Sequence, residues 1–156
     1  MSRLILDDPK RVGDWVGPKA YRPDGYGDPG EDFQAVGVEN PDGDLVGGMI
    51  FTDFDGNNVT LHLAITNPAY VHRSFYQYCH QYALIWMGCE RITAVVIDGH
   101  KRMERLMAAM YFKKEGVVRR GWKLPDGTVV DQGIWGCLRE DCKHLPKEYR
   151  HAGPLI

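Results

Sequence analysis

Only four cysteines occur in the 156 residues, and no two of them form a CxxC pair. That scarcity excludes the dense disulfide framework of a small secreted domain, and Cys137 and Cys142 lack a nearby CxxC or HxxxH partner at ligand spacing, so no metal is expected. Long apolar runs are missing too: none approaches the ~20 residues that a membrane span needs, and no signal peptide opens the chain. Nor does charge of one sign dominate. Nineteen Lys and Arg stand against 21 Asp and Glu, a formal charge of -2, whereas a nucleic-acid or membrane-surface binder would carry a strongly basic field. The expectation is a cytoplasmic protein with neither nucleic acid nor membrane as partner. What is present is ordinary for a globular protein, 44% hydrophobic and 26% charged residues, which excludes a disordered or fibrous chain. The length fits one domain over 1–156.

Residues 7–34 concentrate Gly13, Gly17, Pro18, Pro23, Gly25, Gly27, Pro29 and Gly30, which predicts an irregular, turn-rich arm without a long helix. From Phe33 the patterns sharpen. Phe33–Glu39 and Leu45–Phe51 flank an Asp42-Gly43 turn, a hairpin signal. A second such turn, Asp55-Gly56, leads into Val59–Ile65, where Val59, Leu61, Leu63 and Ile65 alternate with Thr60, His62 and Ala64. Then the period lengthens. Phe75, Tyr78, Cys79, Tyr82, Ala83 and Trp86 make a helical stripe ended by Gly88, with His72 and His80 placed on the surface. Arg91–Ile97 reads as a strand covered on both faces. A second helix carries Met103, Leu106, Met107, Met110 and Tyr111, and two strands around 116–122 and 128–138 close on Pro125-Asp126-Gly127. Residues 143–156 form a C-terminal tail. The order βββ-α-β-α-ββ predicts an α/β (α+β) fold, a mixed but mostly antiparallel sheet with helices on both faces. Its strand–helix–strand unit from Val59 to Ile97 makes a right-handed parallel crossover.

In such a sheet the ligand crevice lies beyond the carboxyl ends of the parallel strands. Here that is the loop 66–73 running into a helix at about Ser74. A helix start offers unpaired N–H groups and the positive dipole end to a phosphate, with Arg73 adding formal charge. The alternative for the same residues is a Ser74 cap and a solvated Arg73.

The stretch from His100-Lys101-Arg102-Met103-Glu104-Arg105-Leu106 to Tyr111-Phe112-Lys113-Lys114-Glu115-Gly116-Val117-Val118-Arg119-Arg120-Gly121, set in that element order, resembles the GNAT superfamily of acyl-CoA N-acyltransferases. The likeness is nearest to the branch that acetylates ribosomal-protein N-termini and to small phage-encoded relatives whose final strand reads like Asp131-Gln132-Gly133-Ile134-Trp135-Gly136. It covers about residues 33–142 and leaves the arm unexplained.

The resemblance implies an acyl-CoA, expected as acetyl-CoA, held by backbone groups of Leu63, Ala64 and Ile65 along its pantetheine arm. The segment Val71, His72, Arg73, Ser74 and Phe75 would take the pyrophosphate, with His100 and Arg105 as further cofactor residues. It implies acyl transfer to a primary amine of a protein or small molecule. His62 is the candidate base, because an ordinary imidazole titrates near neutrality, and Asp53, Asp98 and Tyr70 are further candidates near the crevice. Three departures stand out. Residues 70–75 contain no glycine where the family has a glycine-rich loop, Tyr111 replaces a glycine, and Met107 stands where a proton-donating Tyr is frequent. Two other readings remain: a degenerate phage protein that uses the scaffold as a virion or host-interaction module in the host cytoplasm, and modification of a nucleobase amine. An exposed final strand or the tail could pair two subunits as a homodimer.

Overall fold

The structure, a computed structural model, describes residues 1–22, 24–30 and 33–151. Seven strands form a mixed sheet accompanied by three helices. The strands are β1 (Arg3–Ile5), β2 (Phe33–Glu39), β3 (Leu45–Thr52), β4 (Asn58–Ile65), β5 (Arg91–Ile97), β6 (Lys113–Lys123) and β7 (Val129–Leu138). The helices are α1 (Pro9–Lys19), α2 (Arg73–Gln81) and α3 (Lys101–Ala109). The chain packs as two compact units, one of Met1–Phe54 with Thr60–Cys79, the other of Asp55–Val59 with the chain from His80 onward. No helix among the described residues is long and apolar enough to cross a membrane.

In the first unit the order is β1-β2-β3-β4, each pair antiparallel. The expected turn before Leu45 forms with Gly43 at φ +84°. The arm is where expectation and structure part. Residues 9–19 are helical rather than irregular, and β1 precedes them, so the order begins βα before the predicted series. The start was encoded: Asp8 caps the helix by accepting from the Arg11 amide at 3.2 Å, with Pro9 at the first helical position. The glycines are tolerated because they face a surface with no room for a side chain. A Cβ on Gly13 would come within 2.7 Å of the Phe33 ring, and one on Gly17 within 2.9 Å of the Arg22 carbonyl oxygen. Opposite them, Cβ atoms on Gly37 of β2 and Gly48 of β3 would meet Val12 at 2.7 Å and Val16 at 2.6 Å. Close approach, not flexibility, explains four of these glycines. The core so formed joins Ile5, Val12, Val16, Tyr26, Phe33, Ala35, Ile50 and Ala64. Glu39 ties the layers at its edge, accepting from Arg3 at 2.7 Å and Arg11 at 2.6 Å. These two guanidinium partners hold its carboxyl below the usual carboxylate range.

In the second unit β5 pairs β7 and β7 pairs β6, all antiparallel. α3 ends as a Schellman turn: the Phe112 amide donates to the Met107 carbonyl and the Tyr111 amide to Ala108. Tyr111 therefore takes φ +67°, the left-handed region that glycine favours. Beyond α2 the backbone makes a π turn over Tyr82–Trp86, its Met87 amide reaching back to Tyr82. The extra residue in that turn rotates the end of the stripe. Trp86, expected inside, is 62% exposed, while His80, expected on the surface, is 1% exposed. All four cysteines are buried free thiols.

Candidate functional site

The expected alternation of β4 would leave Thr60, His62 and Ala64 on the more polar face. That face is instead covered, because the α1 layer and the segment after it pack there and Ala64 joins their core. His62 is half-buried in consequence, with the Tyr26 ring 5.0 Å from its own. Arg22 lies 4.7 Å over the other ring's centroid as a cation–π partner. The arm thus supplies two side chains to the neighbourhood of the predicted base.

The hydrogen bonds assign the tautomer. Thr52 Oγ1 donates its single proton to Asp53 Oδ2 at 3.0 Å, since a carboxylate only accepts. The same hydroxyl lies 2.8 Å from His62 Nε2, so Nε2 carries the hydrogen and Nδ1 the lone pair. Asp53 adopts φ +57°, a conformation that an Asp tolerates better than a bulkier residue. Burial pushes the His62 pKa down to about 4, with Arg22 adding to the shift and Asp53 opposing it. This corrects the expectation of a base titrating near neutrality: the imidazole is neutral throughout the physiological range and a weak base. Beside it the Tyr26 hydroxyl is buried with no hydrogen-bond partner among the described residues, and desolvation raises its pKa to about 12. An orphan hydroxyl of this kind is costly unless something else occupies it.

The expected cofactor residues of the first unit follow in the chain. Leu63, Ala64 and Ile65 pair with Met49, Gly48 and Gly47 of β3. Asn67 turns the chain by accepting from the Ala69 amide at 3.3 Å, and a short 3-10 turn, Pro68–Tyr70, carries the half-buried Tyr70. Val71 and Phe75 are buried, whereas His72, Arg73 and Ser74 are exposed. The helix begins at Arg73, so Ser74 lies inside its first turn instead of capping it. The arrangement is a helix start with exposed polar and cationic side chains, anchored by two apolar ones.

The remaining candidates belong to the second unit. Asp98 forms an ion pair with Lys114, which also lies 3.5 Å from Glu104. His100 caps α3, its Nδ1 accepting from the Met103 amide at 3.3 Å. Arg105 is exposed on α3. Met107, where a proton-donating Tyr is frequent, is buried and inert. Asp131 of the final-strand motif accepts from the Arg120 amide at 2.7 Å, where Arg120 takes φ +52° and the β6–β7 register shifts. Sequence reasoning missed Arg22, Tyr26 and Thr52. The Thr52-Asp53 pair opposite His62 across a hairpin was the available signal.

No protein-family model and no curated protein matches the chain. Solved structures do. A spermidine N-acetyltransferase SpeG K23-Y30 chimera from Vibrio cholerae and hSSAT aligns with TM-score 0.65 at 13% identity, covering 88% of this chain and 94% of that one. An acetyltransferase of the GNAT family from Streptococcus pneumoniae aligns with TM-score 0.61 at 16% identity, covering 88% and 99%. Against three other matched acetyltransferases the alignment spans only 60 to 68% of their length. The chain has the fold of the GNAT acetyltransferases.

Proposed function

We propose that this protein is an acyl-CoA-dependent N-acyltransferase that moves an acetyl group to a primary amine. The observation that carries the reading is the fold, aligned over 88% of the chain with acetyltransferases. Fold alone does not fix chemistry, so the local chemistry has to be compatible, and two features support it. The start of α2 suits an anion: backbone N–H groups of a first turn, with Arg73, His72 and Ser74 exposed beside them. The second feature is a neutral imidazole held by Thr52, its Nδ1 carrying the lone pair.

In the proposed reaction the amine nitrogen of the acceptor attacks the thioester carbonyl carbon. The C–S bond then breaks, the thiolate of CoA departs, and the nitrogen loses one proton as the amide forms. His62 Nδ1 accepts a hydrogen bond from the attacking amine and aims its lone pair, while water carries the proton away. A pKa near 4 suits this orienting role better than full proton abstraction. Positioning of this kind supplies several kcal/mol without a dedicated acid. The Tyr26 hydroxyl gives the acceptor a hydrogen-bonding group, so the segment after α1 shapes the amine side of the site.

The test is amine-dependent thiol release from acetyl-CoA by the purified chain. Its acceptors are spermidine, the substrate carried in the name of the Vibrio chimera, peptides with free N-termini and adenine nucleosides. Thiol release above the amine-free rate with one of the first two supports the reading, and release with the nucleosides alone moves the acceptor to a nucleobase amine. Absence of both binding and release contradicts it and leaves the scaffold as an interaction module. The Arg73→Ala variant is expected to weaken acetyl-CoA binding about tenfold, the ~1.4 kcal/mol of one charge-assisted contact. Calorimetric titration of the two proteins reads this directly.

A further inference from the structure

The second unit holds a buried cluster that acyl transfer does not use. His80 closes α2, Cys137 lies near the end of β7, and Cys142 follows a short turn after it; the three are exposed by 1%, 0% and 0%. One potential ligand atom from each lies within 4.8 Å of the others. We propose that His80, Cys137 and Cys142 bind a zinc ion, with His144 completing a Cys2His2 set. This inference is independent of the acyltransferase reading and stands or falls without it.

Geometry comes first. A tetrahedral zinc holds sulfur at ~2.3 Å and imidazole nitrogen at ~2.0 Å, which places ligand atoms roughly 3.5–3.8 Å apart. The cluster therefore needs to contract by about 1 Å, a side-chain adjustment on that scale. The ring of His144 stands 4.8 Å from that of His80, centroid to centroid.

A hydrogen bond at the cluster has the form found at metal sites. His80 Nε2 lies 3.0 Å from the Met110 carbonyl, which can only accept, so Nε2 bears the hydrogen and Nδ1 is the lone-pair nitrogen. Zinc-ligating histidines ordinarily donate their second N–H to such an oxygen, which fixes the ring. A divalent cation that binds here would displace the thiol protons of Cys137 and Cys142. Two thiolates neutralise a zinc dication, so the filled site would bury no net charge. The sequence hid this set because Cys137 and Cys142 are five positions apart and both histidines lie outside any HxxxH spacing.

The experiment uses the untagged full chain, purified without chelator under reducing conditions. Elemental analysis is expected to find close to one zinc per chain. Cobalt(II) added to chelator-stripped protein should give a thiolate-to-metal charge-transfer band and the intense visible bands of tetrahedral coordination. Thermal denaturation should fall by several degrees on stripping and recover with added zinc. The Cys137→Ser, Cys142→Ser double variant should lose the charge-transfer band, whereas Cys79→Ala should keep it. The wild-type cobalt spectrum decides the matter even where the double variant does not fold. No charge-transfer band, cobalt bound only octahedrally, or a Cys137–Cys142 disulfide in the reduced preparation would overturn the proposal.

Discussion

The His62→Gln variant is expected to lose roughly 10²-fold in kcat/KM for the amine, the lower end of what a positioned proton acceptor contributes. Its affinity for acetyl-CoA should stay within about twofold, because binding to the α2 start does not involve the imidazole. The substitution is chosen for shape. Gln can place an amide N–H donor where Nε2 stands, 2.8 Å from Thr52 Oγ1 in the wild type, and has no counterpart of the Nδ1 lone pair. A second readout separates the role of His62 from mere packing. The folded pKa is about 4, below the ~6.5 of an unfolded histidine. Above pH 6.5 the ring is neutral in both states and stability does not depend on it. Between pH 6.5 and 4 the unfolded chain binds a proton that the folded chain does not, so stability falls as pH falls. From pH 7.5 to 5 this loss is about 2 kcal/mol, roughly 4–8 °C in Tm. The variant should lack it. A wild-type Tm indifferent to His62 between those pH values would remove the buried, neutral imidazole from the account.

The Gly48→Val variant is expected to cost about 3 kcal/mol and roughly 6–12 °C in Tm. The reason is contact, not backbone freedom. A Cβ at this position already comes within 2.6 Å of a Val16 methyl and 3.1 Å of Val12, and valine adds two more carbons. α1 must lift from β3. Because the segment that follows α1 carries Arg22 and Tyr26 toward His62, the variant should also lose activity at temperatures where it remains folded. Gly116→Ala provides the contrast: nothing among the described residues lies within 4 Å of the added carbon, and the expected change is under 0.5 kcal/mol. Equal effects at the two positions would mean that α1 does not dock on β3 as described.

These two positions also show how much could be read from the chain alone. β2 and β5 have the bounds that alternation and β-branched runs predict, and the Asp-Gly turns sit where the strands need them, because these signals are local. The arm misled for a physical reason. Glycine and proline ordinarily break helices, but Gly13 and Gly17 lie on the face of α1 that meets Phe33 and the Arg22 carbonyl, where no side chain fits. Only the partner surface reveals this, and that surface is distant in sequence. Asp8-Pro9 is a local helix-start signal that a count of glycines and prolines passes over. His62 is a candidate by its strand position, yet its pKa is not readable from the sequence, since groups that bury it come from the misread arm. Trp86 went to the wrong side because a π turn cannot be inferred from a 3.6-residue stripe.

The central claim, that this scaffold holds an acyl-CoA, is tested most directly by thermal denaturation of the purified chain titrated with acetyl-CoA, with CoA and ATP as controls. Ligand at ~100 times its dissociation constant adds about 2.7 kcal/mol to stability, roughly 5–11 °C at this size. The account predicts a saturable rise with acetyl-CoA and CoA, little with ATP, and a curve displaced to higher concentration in Arg73→Ala. A Tm unmoved by millimolar acetyl-CoA would contradict it.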